Sequence, residues 1–554
     1  MSKTALPAEE QEQLIGRAPR RSRLLRGSIT VASVAVVALV AAACGSGSSS
    51  GSGSSSTGAG ATSAGTPQKG GTLTVAASAP IPTLDPAAGS ANGMALVGDA
   101  IYDSLMFIPK LGEPAQPNIA KSMVASANGL TWTMTLPSGV DFSDGTAFNA
   151  AAVVYNMQRD MAPTSSAAAL LSSVSSVSAP NATTVVFHMK TPYADFPDVF
   201  AYDGSGTAGY IASPTALKKW GKNYTAHAAG VGPFKLQSWT PNGNITLVRN
   251  PDYWNKSQPV YANKVVVENI SSDETAYQAV QSGNLDIMGT ADPTVLSDAQ
   301  HNSSVQTVMG DSNDNQDSIV LNLAEPPFND LAMRKALSMA LNRQQIASLT
   351  TNGLGHPAVN LFPPGNPFHD SASDPAYNLA GAKALIKAYT KQTGKAPTFT
   401  YTCNNQRPAT DVIIQQLKQA GFNVQVDEEE TTSWVSDYFA KKYQAICWTM
   451  APFATPDELP YRFFYSTGDL NTGGFKDAAF DAAADAGRQA TTFNAQKADW
   501  DKADLILTQQ LPWVWTTSGP IGFILGKNVH GVDYSQPSRL RYYVPSVGLE
   551  WLSK

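Results

Sequence analysis

Cysteine is scarce in this chain of 554 residues: only Cys44, Cys403 and Cys447 occur. No Cys-x-x-Cys is present, and the six histidines (His188, His227, His301, His356, His369, His530) stand singly. That spacing offers no local zinc ligand set, so neither a metal nor another cofactor is implied. Excess positive charge is lacking too. The net charge is −6, which disfavours a nucleic-acid partner, because phosphate binding needs a basic surface. There is no Gly-x-Ser-x-Gly, no phosphate-binding glycine loop with Lys-Ser/Thr and no His-Glu-x-x-His, and so no local sign of an enzyme. The acidic pair Asp141/Asp144 sits in a turn. The longest apolar stretch, Ile29 to Ala43, is shorter than the roughly 20 residues of a membrane-spanning helix.

What is present begins with an address. Lys3, Arg17, Arg20, Arg21, Arg23 and Arg26 precede that apolar stretch, the order of a secretory signal. The stretch ends Val40-Ala41-Ala42-Ala43-Cys44. This resembles a bacterial lipobox, which implies lipidation of Cys44 and removal of residues 1–43. Alanine stands at 41, where the pattern usually has leucine. Arg20-Arg21-Ser22-Arg23 also resembles a twin-arginine signal, so the general and twin-arginine routes both stay open. Without the first 43 residues, 32 basic and 41 acidic residues remain, a net −9. Residues 45–68 are Gly, Ser, Thr and Ala with a few others and no charge, a composition that cannot collapse. Such a tether spans roughly 25–30 Å root-mean-square. The expected location is extracytoplasmic, lipid-anchored to the outer face of the cell membrane.

Hydrophobic residues make up 43% of the chain, enough to bury large cores. Gly71 to Ala77 alternates as a strand, and a proline-rich loop, Pro80 to Pro86, follows it. Ala95 to Met106 carries helical spacing. Leu130 to Leu136 and Thr183 to Met189 read as strands, and Ala150 to Met157 as a helix. Asp330 to Ile346 reads as one helix, capped by Asp330, with Met333, Leu337, Ala340 and Leu341 on one stripe. Thr398–Thr402, Asp411–Ala420, Phe422–Val426 and Tyr443–Trp448 alternate as βαβ, which predicts a mainly parallel sheet flanked by helices.

Four phrases then carry a resemblance. Asn128-Gly129-Leu130-Thr131-Trp132 runs on to Asp141-Phe142-Ser143-Asp144-Gly145-Thr146. Gly230-Val231-Gly232-Pro233-Phe234 is the second, and Arg249-Asn250-Pro251-Asp252-Tyr253-Trp254 the third. The fourth runs from Pro327-Phe328-Asn329-Asp330 through Met333-Arg334-Lys335-Ala336-Leu337 to Asn342-Arg343. In this order they resemble the dipeptide/oligopeptide/nickel-binding family of solute-binding proteins that serve ATP-driven (ABC) importers. The resemblance implies an α/β, two-lobed, periplasmic-binding-protein-like fold of type II with an additional subdomain. The expected division is 70–115 lobe I, 116–227 the subdomain, 228–320 lobe I again, 321–520 lobe II and 521–554 a return to lobe I. It further implies a monomer that captures a small peptide or peptide-like solute between its lobes and delivers it to ABC permease subunits. A non-peptide solute (an oligosaccharide, a metal chelate, haem) and a sensor lipoprotein are the alternatives.

Asn404-Asn405-Gln406-Arg407-Pro408 resembles the segment whose arginine meets a ligand carboxylate. Arg407 either does so through its planar fork or is a solvated loop charge. Thr455-Pro456-Asp457-Glu458 resembles the loop whose aspartate meets an amino group, and Asp457 is the match. The altered lead-in Phe453-Ala454-Thr455 speaks against a free amine. Trp448 either walls the ligand or belongs to the core. Pro82, Thr83 and Leu84 lie where family members offer backbone hydrogen bonds. Trp132, Trp239, Tyr253 and Trp254 read as core. Cys403 and Cys447 both close strands of an exported protein, so a disulfide and two separate thiols both fit.

Overall fold

The computed structural model describes residues 66–553 apart from 90–93, 95, 110–112, 202–207, 242, 311–314, 405–408, 452, 454, 533–539, 542–543 and 546–549. Residues 1–65, with the expected signal, Cys44 and most of the tether, lie outside the described residues, as does Arg407.

Three sheets carry the architecture. The first has seven strands in the order Val305–Met309, Gly522–Gly526, Ile287–Thr290, Thr72–Ala77, Lys264–Asn269, Ile245–Arg249 and Phe234–Trp239. Thr72–Ala77 sits near its centre, parallel to both neighbours. Its alternation buries Leu73 and Val75 in the lobe I core. The second sheet has six strands in the order His356–Pro357, Trp513–Gly519, Asn315–Leu321, Ala445–Met450, Thr398–Asn404 and Asn423–Glu429, and forms lobe II. The third, in the subdomain, has four antiparallel strands, Ser122–Ala125, Thr131–Thr135, Thr184–Met189 and Val174–Asn181, next to the helix Ala150–Asp160. Trp132, Met134, Val185 and Phe187 point from it into a separate core. Among the described residues no helix is long and apolar enough to cross a membrane.

Two crossings join the lobes, side by side. Met309 pairs with Gly522 in the first sheet and Asn315 with Gly519 in the second. The chain thus leaves lobe I between Met309 and Asn315 and returns between Gly519 and Gly522. The first crossing falls a few residues before the expected 320/321 boundary, because Asn315–Leu321 already pairs in the second sheet.

Three local expectations need correction. The lobe II sheet is mixed: Thr398–Asn404 is parallel to its two neighbours, while Asn315–Leu321 pairs antiparallel with Ala445–Met450 and Trp513–Gly519. The return strand from lobe I has no βαβ signal to announce its direction. The helix expected over Asp330 to Ile346 is two, Leu331–Ala340 and Arg343–Thr350. Leu341 turns extended (ψ 111°), and the Asn342 side chain caps the second helix by accepting from Gln345 N at 3.1 Å. Among the described residues of Ala95 to Met106, only Gly98–Ile101 is helical, and Met106–Phe107 is a strand. Asp103, at φ 58°, ends the helical run.

The four signature phrases are joints of this frame. Cβ atoms at Gly230 and Gly232 would lie 2.2 Å from Ile101 O and 2.4 Å from Ala100 O. Asn250 Nδ2 donates to Gly232 O at 2.9 Å. The Tyr253 hydroxyl and the Trp254 indole both donate to the buried Asp103 carboxylate, at 2.8 and 3.2 Å. Ser143 N donates to Gly230 O at 2.8 Å. Asp330 caps Leu331–Ala340 by accepting from Ala332 N at 2.7 Å. Arg343 is buried, ion-paired with Asp374 at 3.0 Å and donating to Trp515 O at 2.7 Å.

Candidate functional site between the lobes

In sheets of this kind, ligands are met by loops at the carboxyl ends of strands. Two adjacent parallel strands of lobe II, Thr398–Asn404 and Ala445–Met450, are tied at those ends. Cys403 and Cys447 form a disulfide, with Cα atoms 5.1 Å apart. Asn404 Nδ2 donates to Thr431 Oγ1 at 2.7 Å, and the segment holding Arg407 follows directly. Trp448 is partly buried. It stacks on Tyr438 with ring centroids 3.8 Å apart and lies 4.6 Å from Trp434, whose indole donates to Cys447 O at 3.1 Å. The Trp448 ring therefore has protein on at least one face.

The loop after Thr72–Ala77 is pinned within lobe I. Pro82 is exposed. Thr83 Oγ1 meets Thr225 Oγ1 at 2.9 Å. Leu84 is buried, with its N–H on Thr225 Oγ1 at 3.3 Å and its carbonyl taken by the Tyr102 hydroxyl. The Trp239 indole holds Ile81 O at 3.2 Å. Beside this loop, Ala87, Ala88, Arg159, Ala162, Thr164 and Ser165 line a pocket of about 280 Å³. Arg159 there is ion-paired with Asp85 at 2.5 Å. Trp132 and Tyr253 are buried in cores; Trp239 and Trp254 pack against them half-buried.

Asp457 lies where the subdomain touches lobe II, and it is 1% exposed. Its carboxylate accepts from Trp500 Nε1 at 3.1 Å and from Gln496 Nε2 at 3.2 Å, and its backbone carbonyl accepts from Arg488 Nη2 at 3.2 Å. Across the interface stands Asp195 of the subdomain, which also accepts from Gln496 Nε2, so that one amide bridges the two carboxyl groups. Burial, and then the neighbouring Asp195, push the Asp457 carboxyl up to about 8 against the opposing pull of Arg488. Burial also raises Asp195. One proton shared by two facing carboxyl groups satisfies this arrangement.

Asp195, Arg488, Gln496 and Trp500 escaped the sequence reading. A local signal existed for three. In Ala478–Gln489 the buried stripe Phe480, Ala483, Ala484, Gly487 ends on Arg488. In Phe493–Gln510 the stripe Gln496, Trp500, Ala503, Leu507 begins on a glutamine. A polar residue on an apolar stripe asks for a partner. Asp195 carries no such mark.

Two α/β lobes joined by paired crossings, with a subdomain that contacts the second lobe, define a two-lobed fold. The chain belongs to the bacterial extracellular solute-binding proteins of family 5, whose profile, described as the family's middle region, matches residues 115–471. It is 27% identical over 360 residues to the glutathione-binding protein GsiB of Escherichia coli O1:K1, covering 64% of this chain and 69% of the relative. Its fold is that of the periplasmic binding protein DppA from Helicobacter pylori in complex with the peptide STSA (TM-score 0.77, 22% identity, 88% of this chain and 99% of that one). It is also that of NikZ from Campylobacter jejuni in complex with Ni(L-His) (TM-score 0.74, 18% identity, 84% and 97%).

Proposed function

We propose that this chain is the solute receptor of an ATP-driven importer, held at the outer face of the membrane by lipid on Cys44. Its solute in this reading is a short peptide-like molecule that carries a free carboxylate. The observation that carries the reading is the likeness to a glutathione-binding protein over 360 residues, 64% of this chain. Arg407 receives the carboxylate, on the loop that follows Thr398–Asn404. Trp448 forms a wall, and the loop of Pro82, Thr83 and Leu84 faces it from lobe I. Asp457 becomes open to a solute's amino group only when Asp195 withdraws with the subdomain. Hinged closure over the solute then gives the permease a loaded shape to favour.

The test is a thermal-shift screen of the purified chain against glutathione, di-, tri- and oligopeptides, nickel–histidine and oligosaccharides. A solute at 100 times its dissociation constant stabilises the folded state by about 2.7 kcal/mol. Stabilisation by glutathione or short peptides, lost tenfold or more in affinity in Arg407→Ala, supports the reading. Stabilisation by nickel–histidine or sugars alone overturns the peptide assignment and leaves the family role standing.

A further inference from the structure

The subdomain and lobe II have separate cores, and the segment Tyr193–Asp195 makes several contacts between them. Ala194 N donates to Arg488 O at 3.0 Å. The Arg488 guanidinium lies 4.3 Å from the Tyr193 ring centroid and 3.9 Å from that of Tyr461. Gln496 Nε2 bridges the carboxylates of Asp195 and Asp457. The charged and titratable groups around the pair can be named element by element. The helix Ala478–Gln489 supplies Arg488, and Phe493–Gln510 supplies only the neutral donors Gln496 and Trp500. The turn before Leu459–Phe464 supplies Thr455 and the buried Glu458, and that helix supplies Tyr461. The subdomain supplies Tyr193 and Asp195. Three carboxyl groups thus face one permanent cation, Asp457 and Glu458 fully buried and Asp195 partly so.

We propose that this contact is a proton-gated latch: the subdomain docks on lobe II with uptake of one proton, held between Asp195 and Asp457, and releases when that proton is lost. The inference rests on the hinged motion read above, the docked state being the one in which Asp195 rather than a solute meets Asp457, and not on which solute is bound. Undocked, both carboxyl groups face water and ionise in the ordinary carboxylate range near pH 4. Docked, burial and mutual repulsion hold one protonated. A group whose docked-state value is raised favours docking fully below its undocked value. That preference is lost as pH rises toward the docked-state value. The docked-to-undocked ratio therefore falls by up to tenfold per pH unit across that window.

The experiment is a pulsed electron–electron distance measurement on the full chain carrying Cys44→Ser, with spin labels at Lys190→Cys in the subdomain and Lys476→Cys in lobe II. Both positions are exposed. The expected result is a short-distance population at pH 5.5 that declines at least tenfold by pH 8. Asp195→Asn weakens that dependence, because burial alone still holds Asp457 protonated in the docked state, and the double variant Asp195→Asn/Asp457→Asn removes it. A wild-type distribution that stays constant over this range, or a double variant that keeps the wild-type pH slope, overturns the latch. Loss of solute response in the wild type at every pH would instead strike the functional reading.

Discussion

Cutting the Cys403–Cys447 bridge should destabilise lobe II by about 4 kcal/mol. The two cysteines are 44 residues apart in sequence, and closing a loop of that length removes about that much conformational freedom from the unfolded chain. Packing adds little, since Cys403→Ala/Cys447→Ala deletes only two sulfur atoms from a core that keeps Tyr401, Ile446 and Trp434 around the gap. Guanidinium unfolding followed by tryptophan fluorescence is the assay. Trp434 and Trp448 stand beside the bridge and report on it directly. With a denaturant slope of about 4–5 kcal/mol per molar, the midpoint of that transition should fall by about 0.8–1 M. The reduced wild type should fall by the same amount, because both lose the same loop closure. A midpoint unchanged within about 0.2 M, in protein whose bridge is verified by thiol titration, would refute the reasoning. Destabilisation of the double mutant without destabilisation of the reduced wild type would show that packing, not loop closure, is at work.

Gly232→Ala should cost about 3 kcal/mol or more, because its Cβ meets the Ala100 and Ile101 backbone, which cannot rotate away. Gly139→Ala, at φ 77° with nothing within 4 Å, should cost only about 1 kcal/mol, and melting curves of the two variants decide. Arg343→Ala removes the cation beside Asp374, and its cost should be about 1.4 kcal/mol larger at pH 8 than at pH 5. Burial already pushes Asp374 up to about 7 with Arg343 present. Without its partner the acid stays protonated in the fold to higher pH. The loss of hydrogen bonds to Trp515 O and Ser338 is the same at every pH, and the loss tied to Asp374 grows from pH 5 toward pH 8; equal losses in denaturation at both values would contradict this.

Period and capping made much of the frame legible. Thr131–Thr135, Ala150–Asp160, Thr184–Met189 and the alternation around Ala409–Ala420 all fall where spacing put them, give or take a few residues. The break at Leu341 was not legible, since the apolar stripe runs straight through it and only the second capping residue, Asn342, marks a new start. The mixed lobe II sheet was hidden for a different reason. Asn315–Leu321 and Trp513–Gly519 are almost wholly buried, so they show no alternation, and their pairing joins residues about two hundred positions apart.

The site was less legible than the frame, and the geometry says why. The phrases that carry the resemblance solve steric problems: Gly230 and Gly232 against residues 100–102, Asn250 against Gly232, and Tyr253 and Trp254 against Asp103. Such joints admit one or two residue types, so they read clearly in a single sequence. The interlobe contact is built differently. Asp195, Asp457, Arg488 and Gln496 come from four segments spread over three hundred residues, and each alone is an ordinary polar side chain. Their meaning lies in the distances between them, which exist only once the chain has folded. A solute cleft is assembled in the same way, from single residues on separate loops. The same sequence therefore names its family firmly and its solute weakly. The measurements that identify the solute have to act on the assembled interface rather than on any one motif.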